Sequence, residues 1–139
     1  MKVKDVMHKG ATWVKPSIPV SKLARKMRQE DIGAVPVGEN DRLIGMVTDR
    51  DICCRAVGGG RDIALLTARE VMSKPILYCE ADQDVQTAVR AMRKAKVRRL
   101  PVIDKNRRMV GMLGLGDIAA KASRQTSATA LKALATHHR

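Results

Sequence analysis

The residues of this chain best suited to chemistry form one short run, Thr48-Asp49-Arg50-Asp51. A hydroxyl where a helix begins stands beside backbone N–H groups that have no partner within the helix, and such a corner takes phosphate. An ionised carboxylate three residues on accepts hydrogen bonds only, so it can hold both hydroxyls of a ribose diol. The same pair also fits a structural motif. In a capping box the hydroxyl and the fourth side chain close on each other's backbone, although Glu or Gln usually fills that fourth position and Asp is shorter. Both readings stand at this point. A second version of the corner, Gly114 to Asp117, keeps the carboxylate and lacks the hydroxyl. Without a side chain, Gly114 leaves room for backbone amides to approach a phosphate. The two corners are expected to be unequal, with that of Asp51 favoured.

The rest of the sequence assembles no catalytic group. It has no nucleophile–base pair and no metal-ligand spacing, and Gly58-Gly59-Gly60 lacks the Lys-Ser/Thr of a phosphate-binding loop and reads as a linker. Cys53, Cys54 and Cys79 cannot make a paired framework, so they are expected to be small buried thiols of a reducing compartment. The 139 residues carry 27 Lys and Arg against 14 Asp and Glu, a net charge of +13, which raises nucleic acid or an acidic membrane surface as a partner. With no Phe, one Trp and one Tyr, the chain has few aromatic faces on which to stack single-stranded bases. From Gln86 to Arg108 there are nine basic residues and one acid, Asp104. That run reads as a solvated face, as a field drawing phosphate to the corners, or as a surface for a polyanion or acidic protein. Met1 to Gly10 is polar and basic, so no secretory signal is expected. No apolar run approaches the ~20 residues of a membrane span. A cytoplasmic protein without membrane insertion follows as the expectation.

The elements that must position these corners emerge from an internal duplication. Asp5-Val6-Met7 returns as Glu70-Val71-Met72, Trp13 as Tyr78, and Val35-Pro36-Val37 as Leu100-Pro101-Val102, each 65 residues on. Past one inserted residue the interval is 66, matching Gly45 with Gly111 and Asp51-Ile52 with Asp117-Ile118. In each copy a short strand (Ala11 to Val14; Ile76 to Cys79) leads to an amphipathic helix. The i, i+3, i+4, i+7 positions are Val20, Leu23, Ala24 and Met27 in one copy and Val85, Ala88, Val89 and Met92 in the other. Pro19 suits the first turn of one helix, and Asp82 can cap the other. A hairpin follows, whose first strand contains a Pro with its nitrogen facing away from the ladder; its second strand is Leu43 to Val47 or Met109 to Leu113. A second helix begins near Thr48 or Gly114, and in the first copy it ends at Gly58. The expected fold is α+β, an internal duplication of two β-α-β-β-α repeats packed with pseudo-two-fold symmetry and leaving two equivalent clefts. The expected boundaries are 1–57, a linker at 58–68, 69–122, and a C-terminal tail at 123–139. Within the tail, Ala130 to Ala135 reads as a short helix on a dimer mate or as a frayed end, and His137 and His138 are not read as a metal site.

These motifs, including Asp31-Ile32-Gly33-Ala34-Val35-Pro36-Val37, Gly45 to Ile52, Val97 to Asp104 and Gly111 to Ile118, resemble a tandem pair of CBS domains, or Bateman module, of the small stand-alone bacterial type. The resemblance covers about residues 2–122. It implies a non-catalytic sensor that binds an adenosine-containing ligand (AMP, ADP, ATP, NAD or S-adenosylmethionine) in the clefts. It further implies a homodimer and an unidentified regulated protein, with no cofactor beyond the regulatory adenine nucleotide. It assigns Thr48 to a phosphate or the ribose, and Asp51 and Asp117 to ribose hydroxyls. Arg98 and Arg99, before Leu100-Pro101, would face the phosphates, a role that suits the planar guanidinium. The adenine would lie against Val14, Lys15 and Pro16 with Ala34, Val35 and Pro36, or against Cys79 to Ala81 with Leu100 and Pro101, read by backbone groups. The alternatives are a basic surface for nucleic acid or another polyanion, and a ligand-free protein-interaction module.

Overall fold

Residues 1–10, 12–73 and 76–135 are described in this computed structural model. Along the chain run α1 (Val3–Val6), β1 (His8–Lys9), α2 (Val20–Glu30), β2 (Ala34–Glu39), β3 (Arg42–Thr48) and α3 (Asp49–Asp51), which continues as a π-helical stretch (Ile52–Val57). After these come α4 (Ala68–Val71), β4 (Cys79–Glu80), α5 (Val85–Ala95), β5 (Arg99–Ile103), β6 (Met109–Gly114), α6 (Leu115–Lys121) and α7 (Arg124–Ala135). The chain divides into two units, Thr12–Ile76 and Met1–Ala11 with Leu77–Arg139. Ala11, the expected start of the first strand, and His137 and His138 lie outside the described residues.

In Thr12–Ile76 the apolar stripe of α2 buries Val20, Leu23 and Met27. The helix stops at Asp31, whose φ of 53° reverses the chain so that Ile32 N–H reaches back to Met27 O at 3.0 Å, a Schellman closure made without glycine. β2 and β3 form an antiparallel hairpin whose turn residues Asn40 and Asp41 both have positive φ, as a two-residue type I′ turn requires. Val14 bridges Val37 in parallel on one side of the hairpin, and Ser73 bridges Met46 on the other. Pro36 O accepts from Val14 N–H at 3.0 Å, so the Pro nitrogen lies on that same side, away from β3. The Trp13 ring occupies the space where a side chain on Gly38 would stand, which is why that strand position is glycine. Leu66, Ala68, Val71 and Met72 complete this core. The stretch after Gly58 is thus built in: Val20 N–H donates to Leu66 O at 2.8 Å and Ser21 N–H to Ile63 O at 3.2 Å.

The other unit repeats the pattern with longer pairing, in the strand order β1-β6-β5-β4. Cys79 pairs with Val102 as Val14 does with Val37, and His8 with Met112 as Ser73 does with Met46. The strand bulges recur at Val37/Gly38 and Val102/Ile103. The inserted residue falls in the second hairpin turn, where the Asp104 carboxylate accepts from Asn106 N–H and Arg108 N–H at 2.8 and 2.9 Å. This core takes Val3, Val6 and Met7 from the start of the chain, the stripe of α5, and Ala130 and Leu134 of α7. Met7 packs on Gly111 as Met72 packs on Gly45. The Val and Met of each Asp/Glu-Val-Met motif therefore sit in the core of the repeat other than the one that follows directly in sequence.

Three local expectations are corrected. Asp84, not Asp82, caps α5, accepting from Gln86 N–H at 2.9 Å; Asp82 lies too far outside the helix and pairs with Lys4 at 3.1 Å. The opening strands are shorter than expected: pairing begins only at Val14 and Cys79, and the residues before their partners, Pro36 and Pro101, have no N–H to extend the ladder. The residues after Ser123 form a 12-residue helix that packs on α5 and α6 of its own unit, since Ala130 and Leu134 are buried there.

Candidate functional site

β3 hands its last residue straight to α3. Thr48 remains extended (φ −106°, ψ 163°) and caps the helix: its Oγ1 accepts from Asp51 N–H at 3.1 Å, and Asp51 Oδ2 accepts from Thr48 N–H at 2.9 Å. The capping box thus forms with Asp in the fourth position. The other amides at the corner also have partners. Asp49 N–H donates to Gly33 O and Arg50 N–H to Asp49 Oδ1, both at 2.9 Å. The open phosphate corner expected from sequence is therefore closed here by local hydrogen bonds. The second oxygen of Asp51 takes no part in the box, and the side chain is 15% exposed.

That oxygen meets a residue that the sequence reading passed over. Arg55 Nε stands 3.7 Å from Asp51 Oδ1, and Arg55 Nη1 reaches Val71 O and Met72 O, each at 3.3 Å. The i, i+4 spacing of opposite charges was the available signal.

The second corner differs in two matched ways. Asp117 Oδ2 accepts from Gly114 N–H at 2.9 Å and Leu115 N–H donates to Arg98 O at 3.1 Å, as in the first corner, but Asp117 N–H has no hydroxyl to bond. Gly114 pairs across the ladder with Arg99, as Thr48 pairs with Ala34. The Arg99 stem lies 3.4 Å from where a Gly114 Cβ would stand. A small–large pair has been exchanged for a large–small one, which brings the Arg99 stem beside the start of α6. Lys121, the counterpart of Arg55, reaches Met7 O at 3.4 Å and makes no ion pair with Asp117 among the described residues.

The remaining candidates fall into two sets by unit. Val14, Ala34, Val35 and Pro36 lie on adjoining strands beside Thr48, with Pro16 buried and Lys15 exposed. Cys79, Leu100 and Pro101 lie beside one another in the other unit, while Arg98 and Arg99 are exposed. The side chains of Val14, Val35, Cys79 and Leu100 belong to the cores, so they can offer a ligand only their backbone. The expectation of buried thiols holds for Cys79 alone. Its Sγ lies 3.8 Å from Pro101 O, and burial pushes its pKa up to about 12. Cys53 and Cys54 are exposed, because Ile52 and Ala56 take the inner side of the π-helical stretch.

Two repeats of one sheet-and-helix plan, each ending a strand in a carboxylate-capped helix, define a class, and the comparisons agree. The chain belongs to the CBS domain family, which matches residues 3–57 and 68–124. It is 39% identical over 117 residues to hypoxic response protein 1 of Mycobacterium tuberculosis, covering 84% of this chain and 81% of that protein. It is 36% identical over 126 residues to the CBS domain-containing protein YhcV of Bacillus subtilis, covering 91% and 89%. The crystal structure of Hypoxic Response Protein I with two coordinated zinc ions is similar at a TM-score of 0.81 and 37% identity, over 88% of this chain and 100% of that one. The CBS domain pair of protein MJ0100, in complex with 5′-methylthioadenosine and S-adenosyl-L-methionine, is similar at 0.78 and 25% identity, over 86% and 94%. A homoserine O-acetyltransferase of Methanohalobium evestigatum also matches, but over only 23% of its length. Among the described residues no three His, Cys, Asp or Glu side chains gather as a metal site, and no helix is long and apolar enough to cross a membrane.

Proposed function

We propose that the chain is a non-catalytic regulatory module of the cytoplasm that binds an adenosine-containing ligand and passes its occupancy to another protein, acting as a homodimer. The observation that carries this reading is the doubled corner: Asp51 and Asp117 are each held through one oxygen by a backbone N–H, with the other oxygen left as an acceptor. A ribose diol offers the donors that such an oxygen takes. The relative that binds methylthioadenosine and S-adenosylmethionine supports adenosine as the common part of the ligand. Arg98 and Arg99 would take phosphates, and backbone groups near Val14, Pro36, Cys79 and Pro101 would read the base. Any regulatory shift can draw only on the difference in ligand affinity between two states.

A second reading has its own observation. Arg93, Lys94, Lys96, Arg98 and Arg99 are exposed without an acidic partner within 4.0 Å among the described residues, whereas the matching corner of the first repeat pairs Lys26 with Glu30. This favours a polyanion on that face. Thermal unfolding in about 150 mM salt with AMP, ADP, ATP, NAD or S-adenosylmethionine separates the two. At 100 times its Kd, the bound ligand should add ~2.7 kcal/mol of stability, and Asp51→Ala should reduce the shift. No shift with any of the five, together with duplex binding that weakens steeply with salt, overturns the sensor reading in favour of the polyanion.

A further inference from the structure

We propose that Arg55 is the positioning residue of the Asp51 corner, and that the Lys in its place in the second repeat is a further source of the inequality of the two corners. This rests on the reading of Asp51 as the ligand's carboxylate. The guanidinium is a bridge. One end grips the last carbonyls of α4, Val71 O and Met72 O, and its Nε stands 3.7 Å from Asp51 Oδ1. The C-terminal carbonyls of a helix carry partial negative charge and attract a cation, so the anchor is favourable in its own right. From that anchor the planar fork presents a second edge, which a Lys ammonium does not have. Asp51 is thereby bonded at one oxygen by Thr48 N–H and faced at the other by the Arg55 charge. At 3.7 Å Arg55 steers the outer oxygen without filling it, since a carboxylate oxygen has two lone pairs.

The second repeat supplies the control. Lys121 stands where Arg55 stands and makes the same anchor, to Met7 O at 3.4 Å, but it does not extend to Asp117. The carboxylate of Asp117 is held at one oxygen only among the described residues. The molecule thus contains both states of the device, an anchored cation that steers its carboxylate and one that does not.

Arg55→Lys should copy the second repeat into the first, keeping the anchor and losing the steering, and Lys121→Arg should do the reverse. Without ligand, amide exchange at Thr48, whose N–H depends on Asp51 Oδ2, should quicken about twofold in Arg55→Lys, the worth of one i, i+4 ion pair. Exchange at Gly114 should slow by a similar factor in Lys121→Arg. Exchange at Met72 should stay unchanged in Arg55→Lys, which a loss of general stability would not allow. With ligand, the preference for adenosine over 2′-deoxyadenosine should fall in Arg55→Lys. Unchanged exchange at Thr48, or equal changes at Thr48 and Met72, overturns the role of Arg55 whatever binds. An adenosine preference that Asp51→Ala removes and Arg55→Lys leaves intact overturns it as well, with the ligand reading standing. If the exchange rates move as stated and no adenosine compound binds, Arg55 keeps its role and the ligand reading falls.

Discussion

The sequence offers two roles for Asp51, helix cap and ligand carboxylate, and the structure shows the cap. One oxygen closes the capping box and the other stands 3.7 Å from Arg55 Nε. The box was legible from Thr48 and Asp51, as was the weaker second corner from Gly114. Arg99 as the compensating partner of Gly114 was not legible, because cross-strand pairing depends on a register that a sequence states only through its turn. The cysteines were misjudged for a related reason. Ile52 and Ala56 take the inner side of the π-helical stretch, which leaves Cys53 and Cys54 outside, and residue type alone does not state which side a thiol takes. The three thiols should accordingly behave differently. In the native protein at neutral pH, iodoacetamide should label Cys53 and Cys54. Cys79, whose folded pKa of about 12 lies far above the working pH, should remain unmodified until denaturant is added. Three rapid additions by mass spectrometry would contradict its burial.

The helices were the most legible elements. Both amphipathic stripes fold as their spacing dictates, and α2 and α5 are equal in length at 11 residues. Their ends were less legible. Neither carries the glycine that usually marks a left-handed C-terminal residue; Asp31 and Lys96 adopt that conformation instead, with φ of 53° and 58°. The hydrogen bonds of Ile32 and Val97 to Met27 and Met92 hold them there, both at 3.0 Å. A non-glycine residue pays a steric cost in this region, partly offset by the backbone freedom that glycine would lose on folding. Lys96→Gly should therefore raise stability by about 0.5–1 kcal/mol in urea unfolding, with no change in the slope against denaturant. A loss of stability would mean that the Lys96 side chain contributes more than its backbone costs.

At the scale of the whole chain, the duplication was legible from its 65-residue interval, and the exchange of segments was not. Repetition shows which residues are alike, and two alike segments can each dock at home or in the other copy without any change in the pattern. The structure has α1 in the core with α5 and α6, and α4 in the core with β3. Deleting residues 1–9 should thus damage the unit it does not adjoin in sequence. Removing the buried side chains of Val3, Val6 and Met7 costs about 5 kcal/mol or more from that core. Hydrogen exchange should show lost protection across residues 77–135 with protection retained across residues 12–73. The opposite distribution would refute the exchange.

The same exchange sets an order of events on the ribosome. A nascent chain emerges from its first residue, yet α1 has nothing to dock on until α5, β5 and β6 have been synthesised, some hundred residues later. Thr12–Ile76 holds its own core and can close while translation continues. Residues 3–7 are thus made well before the elements they pack on, and the apolar face of Val3, Val6 and Met7 stays open until those elements emerge.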